Sequence, residues 1–101
     1  MKQSLMLIVN PRAGRARSAA PLFEAAALLC RDGETLLSIR QTAARGDATR
    51  FVRESGGAFD RIVCCGGDGT LNETVAGLME LPAPPPLGYI PVSYTHLRAH
   101  E

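Results

Sequence analysis

Arg61-Ile62-Val63-Cys64-Cys65-Gly66-Gly67-Asp68-Gly69-Thr70-Leu71 is the stretch that decides the fold. A β-type apolar run closes on three glycines and one carboxylate, and a helix-type pattern begins at Leu71. Two glycines would satisfy a tight strand-to-helix turn. The third, with Asp68, goes beyond that need. Glycine lacks a Cβ, so it admits positive φ and lets the main chain approach a ligand closely. The helix that follows aims unpaired N–H groups and its positive dipole end at the turn. A phosphate is the natural guest of such a turn. The spacing is neither the dinucleotide G-x-G-x-x-G nor a Walker A loop, because no glycine follows at the required offset and no lysine occurs after Lys2.

Outward from this turn, strand-like and helix-like segments alternate. Residues 5–9 form a continuous apolar run cut off by Asn10-Pro11, which predicts a strand covered on both faces. Residues 35–41 and 61–65 predict a second and a third strand, and Leu87-Gly88-Tyr89-Ile90-Pro91 the start of a fourth, beyond a stiff proline-rich connector at 82–86. A helix is predicted from Ser18 to about Arg31, with Phe23, Ala26, Ala27 and Cys30 on one stripe and Asp32-Gly33 as its stop. A second is predicted with Asp47 as its cap, Phe51 and Val52 as apolar content and Gly56-Gly57 as its end. Leu71, Val75, Leu78 and Met79 recur at helical spacing in a third. This order predicts an α/β fold: a three-layer, Rossmann-like parallel sheet with helices on its faces. Loops 10–17, 42–46 and 66–72 then meet at the carboxyl edge, where such folds bind ligands.

Composition narrows the function classes. A chain of 101 residues holds one small domain. The net charge of +1 comes without a run of like charge, and aromatic residues make up only 5%, which argues against nucleic acid as a partner. Cys30, Cys64 and Cys65 are an odd set without spaced pairs, so free, buried thiols in a reducing compartment are expected. The N-terminal apolar run is too short for a signal sequence or a membrane span, and a cytoplasmic location is expected. His96 and His100 lack a third partner, so no metal site is expected there.

Several residues at the carboxyl edge are candidates for the chemistry. Asp68 can hold Mg²⁺ indirectly, accept a hydrogen bond from a ribose or substrate hydroxyl, or fix the turn by bonding its own backbone. Thr70-Leu71-Asn72-Glu73 fits the capping box S/T-x-x-E, in which Thr70 caps the helix and Glu73 reaches back; the Thr70 hydroxyl can also touch a phosphate. Asn10 can bond a neighbouring loop or a nucleotide, Thr42 can contribute a hydroxyl, and Arg15 or Arg17 can neutralise phosphate charge.

Asn10-Pro11-Arg12-Ala13-Gly14 after the first strand, Thr42 with Gly46-Asp47-Ala48 after the second, and the run from Gly66 to Glu73 after the third occur in order. In residues 4–91 the chain resembles the N-terminal nucleotide-binding part of the diacylglycerol kinase catalytic-domain family, which includes bacterial lipid kinases and sphingosine and ceramide kinases. The resemblance implies ATP-dependent phosphorylation of a lipid hydroxyl such as that of diacylglycerol, with Mg²⁺, and peripheral membrane contact in the parent protein. It maps Asn10, Thr42, Gly66, Gly67, Asp68, Gly69, Thr70, Leu71 and Asn72 onto nucleotide-contacting positions, and Asp68 onto an essential loop aspartate. After Pro91 the agreement stops. Residues 92–101 lack the family's next glycine-containing segment and are expected to be an unrelated tail. The family's lipid-binding layer and general base are not among these residues, so the fragment alone is expected to lack turnover. NAD kinases share the Gly-Gly-Asp-Gly-Thr loop but follow it with apolar residues; Asn72-Glu73 and Asn10-Pro11 favour the lipid kinases. A non-catalytic or misfolding truncation is the remaining alternative.

Overall fold

In the computed structural model the chain is described for residues 2–11 and 26–91. Four strands form the sheet: β1 (Gln3–Val9), β2 (Thr35–Gln41), β3 (Arg61–Gly66) and β4 (Leu87–Pro91). They lie in the order β2-β1-β3-β4, and every neighbouring pair is parallel. Helices α1 (Asp47–Ser55) and α2 (Asp68–Leu78) accompany them among the described residues, with a 3₁₀ turn at Gly56–Ala58.

The continuous apolar runs take the two central strands, as their composition requires. Met6, Ile8 and Ile62 point to one face and pack with Ala48, Val52 and Leu78 of the two helices. Leu5, Leu7, Val9, Val63 and Cys65 point to the other, where Leu29, Leu37 and Ile90 pack against them. Leu29 belongs to a helical stretch at residues 26–29. Both faces of the sheet are therefore covered, and the architecture is the expected three-layer α/β fold. The edge strand β2 is only half covered, with Leu36 and Ile39 exposed.

Strand order fixes where the site lies. From β1 the chain adds β2 on one side, then crosses back to add β3 and β4 on the other. Right-handed crossovers put connections of opposite direction on opposite faces. Accordingly, α1 and α2 share one face and the 26–29 stretch packs on the other. The direction reverses between β1 and β3, which makes their carboxyl ends the switch point at which open α/β sheets take ligands.

The two helices touch where α2 has no side chain. A Cβ at Gly77 would stand 2.7 Å from Val52 Cβ and 2.8 Å from the Thr49 carbonyl oxygen. This corrects the expected apolar stripe of the third helix. Its buried residues are Thr70, Thr74, Gly77 and Leu78, while Val75 and Met79 are exposed. Small and β-branched side chains line the close contact, and the buried Thr74 hydroxyl is satisfied by donating to the Thr70 carbonyl at 2.8 Å.

Helix boundaries differ from expectation as well. α2 opens at Asp68 rather than Leu71, because Gly66 continues β3 and Gly67 is the N-cap. For α1 the N-cap is Gly46, with φ +92°, and not Asp47. Gly56 is right-handed and opens the 3₁₀ turn in place of a left-handed stop. Of the expected helix from Ser18, residues 18–25 lie outside the described residues; its stop at Gly33, with φ +73°, is observed. Cys64 and Cys65 are buried and Cys30 half-buried, all free. Burial pushes both strand thiols above the ordinary cysteine range, so they are protonated at neutral pH. Residues 92–101, with His96 and His100, lie outside the described residues.

Candidate functional site

The ladder of the sheet delivers three strand ends to one place. Asn10 N–H donates to the Cys65 carbonyl at 3.4 Å and Thr42 N–H to the Val9 carbonyl at 2.9 Å, so the residues just past β1 and β2 stand beside the end of β3. Between them and the first turns of α2 opens a cavity of about 390 Å³. Its walls are Asn10, Thr42, Ala43, Ala44, Arg45, Gly69, Thr70 and Glu73.

On the α2 side, the first intrahelical bond runs from Leu71 N–H to the Gly67 carbonyl at 3.1 Å. The amides of Asp68, Gly69 and Thr70 precede it and have no acceptor within the helix. Gly66 packs tightly on α2: a Cβ there would stand 3.0 Å from Thr70 Oγ1 and press on that side chain. Its carbonyl accepts the Tyr89 hydroxyl of β4 at 3.1 Å. The Asp68 carboxylate is exposed and has no hydrogen-bond or ion-pair partner among the described residues, so it does not fix the turn. Asn10 Nδ2 donates to Thr70 Oγ1 at 3.4 Å, joining two elements 60 residues apart.

The capping box does not form. Thr70 lies inside the helix, and Glu73 Oε2 instead accepts the Gly46 N–H at 3.0 Å, while the Glu73 carbonyl accepts the Thr49 hydroxyl at 2.7 Å. Loop 42–46 is braced from within. Asp47 Oδ2 accepts the Ala43 N–H at 2.8 Å and the Ala44 N–H at 2.9 Å. These two backbone bonds, with the Arg50 guanidinium, hold the Asp47 carboxyl below the usual aspartate range. Arg45 is exposed on the cavity wall and has no carboxylate partner among the described residues.

Of the nine residues expected to contact nucleotide, Asn10, Thr42, Gly69 and Thr70 line the cavity. Gly66 and Gly67 form the turn behind them, and Asp68 opens α2. Leu71 is half-buried and Asn72 exposed on the helix, and neither lines the cavity. Arg15 and Arg17 lie outside the described residues. Arg45 and Glu73 also line the cavity; the sequence cue for Arg45 is its place in a short loop after a strand, and Glu73 has the spacing of a cap residue instead. Among the described residues no group of three or more His, Cys, Asp or Glu could hold a metal ion.

The family model for the diacylglycerol kinase catalytic domain matches residues 4–94. The chain belongs to the diacylglycerol kinase catalytic-domain family. A diacylglycerol kinase of Staphylococcus aureus (strain MRSA252) is 38% identical over 97 residues, covering 91% of this chain and 29% of that protein. The protein of Yersinia pestis (strain Pestoides F) named "Probable lipid kinase YegS-like" is 38% identical over 90 residues, covering 86% and 29%. A crystal structure of a diacylglycerol kinase from Bacillus anthracis str. Sterne superposes with a TM-score of 0.73 at 36% identity, covering 88% of this chain and 32% of that one. The chain thus spans about three tenths of the length of these relatives. No helix among the described residues is long and apolar enough to cross a membrane.

Proposed function

We propose that this stretch of a diacylglycerol kinase family chain binds Mg-ATP, and that the protein carrying it transfers the ATP γ-phosphate to a lipid hydroxyl, with diacylglycerol as the substrate suggested by its relatives. The observation that carries the reading is the row of amides at Asp68, Gly69 and Thr70 that lack a partner among the described residues, opening beside a cavity walled by Asn10, Thr42 and Arg45. Those amides and the dipole of α2 suit phosphate oxygens. The Arg45 guanidinium suits the same anion. The Asn10 and Thr42 side chains supply further, neutral polar contacts in the cavity.

The residues also fit a magnesium ion carried by the nucleotide. Mg²⁺ keeps several waters and is held by one or two carboxylates plus phosphates rather than by a full protein cage. Asp68, exposed and unpartnered among the described residues at the mouth of the turn, would meet that ion through water. The bound ion would supply neutralisation of phosphate charge during transfer. Phosphoryl transfer asks the protein mainly for positioning and charge compensation, and this stretch offers both for the donor. The acceptor hydroxyl and the base that takes its proton are assigned to the remainder of the kinase. The 101 residues alone therefore bind Mg-ATP without phosphorylating lipid, and any membrane contact belongs to the parent protein.

Thermal unfolding of the chain with and without millimolar Mg-ATP tests the first step, and a rise of several degrees is expected. No shift, together with no displacement of a fluorescent ATP analogue, would overturn it. Product analysis of the kinase carrying this stretch, offered diacylglycerol and NAD side by side, tests the substrate; phosphorylated NAD would refute the lipid assignment.

A further inference from the structure

Glu73 sits where a phosphate-binding reading would least want it. Gly69, Thr70 and Glu73 follow one another along one face of α2 at helical spacing, and all three line the cavity. A carboxylate on that wall repels an anionic guest, so its presence calls for another task. Its contacts supply one. Its Oε2 accepts the Gly46 N–H at 3.0 Å, and its main-chain oxygen accepts the Thr49 hydroxyl at 2.7 Å.

Gly46 is the pivot of the opposite wall. It closes loop 42–46 in a left-handed conformation at φ +92°, and its carbonyl receives the Arg50 N–H at 3.0 Å to start α1. The other brace of the loop, Asp47, is internal to the loop and its helix. Among the described residues, Glu73 is the α2 side chain that hydrogen-bonds this loop.

We propose that Glu73 is a positioning residue: by holding the Gly46 amide it sets Thr42 and Arg45 opposite Gly69 and Thr70, so that the cavity is preformed for nucleotide. This rests on the Mg-ATP reading above. The clamp needs an acceptor oxygen at the end of a side chain of this length, not a negative charge. Glutamine keeps that oxygen, and alanine removes it. Ordering the wall in advance spares the ligand that cost on binding.

The test uses the whole chain with Glu73→Ala and Glu73→Gln, reading amide exchange at Gly46 by NMR and Mg-ATP affinity by titration. In Glu73→Ala, Gly46 exchange is expected to accelerate about tenfold or more and the Mg-ATP Kd to rise about tenfold, the loss typical of one hydrogen bond. In Glu73→Gln both stay within about threefold of the parent. Unchanged Gly46 exchange in Glu73→Ala overturns the clamp. Faster exchange with an unchanged Kd overturns the positioning role, leaving a purely structural one. Glu73→Gln behaving like Glu73→Ala shows that charge matters and also overturns it. A parent chain that binds no Mg-ATP, yet shows the exchange contrast, overturns the nucleotide reading and the positioning role together while the clamp stands.

Discussion

Replacing Gly77 by alanine forces apart the two helices that flank the cavity, and replacing Gly69 by alanine does not. At Gly77 the added Cβ would lie 2.7 Å from Val52 Cβ and 2.8 Å from the Thr49 carbonyl oxygen. Carbon atoms pack comfortably at about 3.5–4.0 Å, so α1 and α2 must separate by roughly 1 Å. One obstacle is main chain and the other is the stem of a β-branched side chain, so neither can rotate away. Overpacking of this kind costs about 1–3 kcal/mol, and the backbone clash puts Gly77→Ala at the upper end. The better helix propensity of alanine returns about 0.8–1 kcal/mol. The net loss is about 2 kcal/mol, a fall in Tm of about 8–16 °C for a domain of this size. At Gly69 a Cβ meets nothing within 4 Å, but it would project from a residue that lines the cavity. Gly69→Ala is expected to keep or raise the Tm and to weaken Mg-ATP binding. Circular-dichroism melts with and without Mg-ATP measure both variants. A Gly77→Ala chain that melts at or above the parent temperature refutes the close helix contact. A Gly69→Ala chain that loses as much stability as Gly77→Ala, while binding nucleotide normally, refutes the division between a packing glycine and a site glycine.

Asp68→Asn should leave the Tm within about 2 °C, the small effect usual for an exposed side chain, and abolish the dependence of ATP binding on Mg²⁺; magnesium-independent binding in the parent would contradict this. Tyr89→Phe removes the hydroxyl that holds the Gly66 carbonyl, costing about 0.5–1.5 kcal/mol in urea unfolding and weakening Mg-ATP binding; a silent variant would show that the turn needs no such tether. The Asp47 carboxyl titrates below its ordinary value of 3.8 in the folded chain. A depressed folded value stabilises fully above the unfolded one and is lost as pH falls through the folded one. The parent should therefore lose more stability than Asp47→Asn on acidification below about pH 4, and equal acid sensitivity of the two would remove Asp47 as the brace of loop 42–46.

The sheet was legible because its central strands are written as unbroken apolar runs. Residues 5–9 and 62–65 contain no polar residue, the pattern of a strand covered on both sides. The glycine-rich turn was legible as a strand-to-helix junction, but not through positive φ: Gly66, Gly67 and Gly69 all lack it, and Gly66 instead packs against the Thr70 side chain. The start of α2 was not. An apolar period beginning at Leu71 hid the first turn, which consists of Asp68, Gly69 and Thr70 and has no apolar residue to mark it. Thr70 and Glu73 carry the spacing of a capping box, but their partners, Asn10 and Gly46, are remote in sequence and follow from the strand order alone. The helix contact at Gly77 was hidden for a related reason: a glycine inside a helical pattern reads as a weakness until the neighbouring helix is known to press against it. Arg45 looked like any solvated cation, since only the three-dimensional placement of loop 42–46 puts it on the cavity wall.

The bond from Asn10 to Thr70 has a thermodynamic corollary. A guest resting against both residues touches chain segments that enter the fold far apart, so it closes long loops that a domain of this size holds with little energy to spare. Saturation a hundredfold above Kd would add about 2.7 kcal/mol to the folded state. The concentration of nucleotide would then govern how much of the chain is folded, as well as how often the pocket is filled.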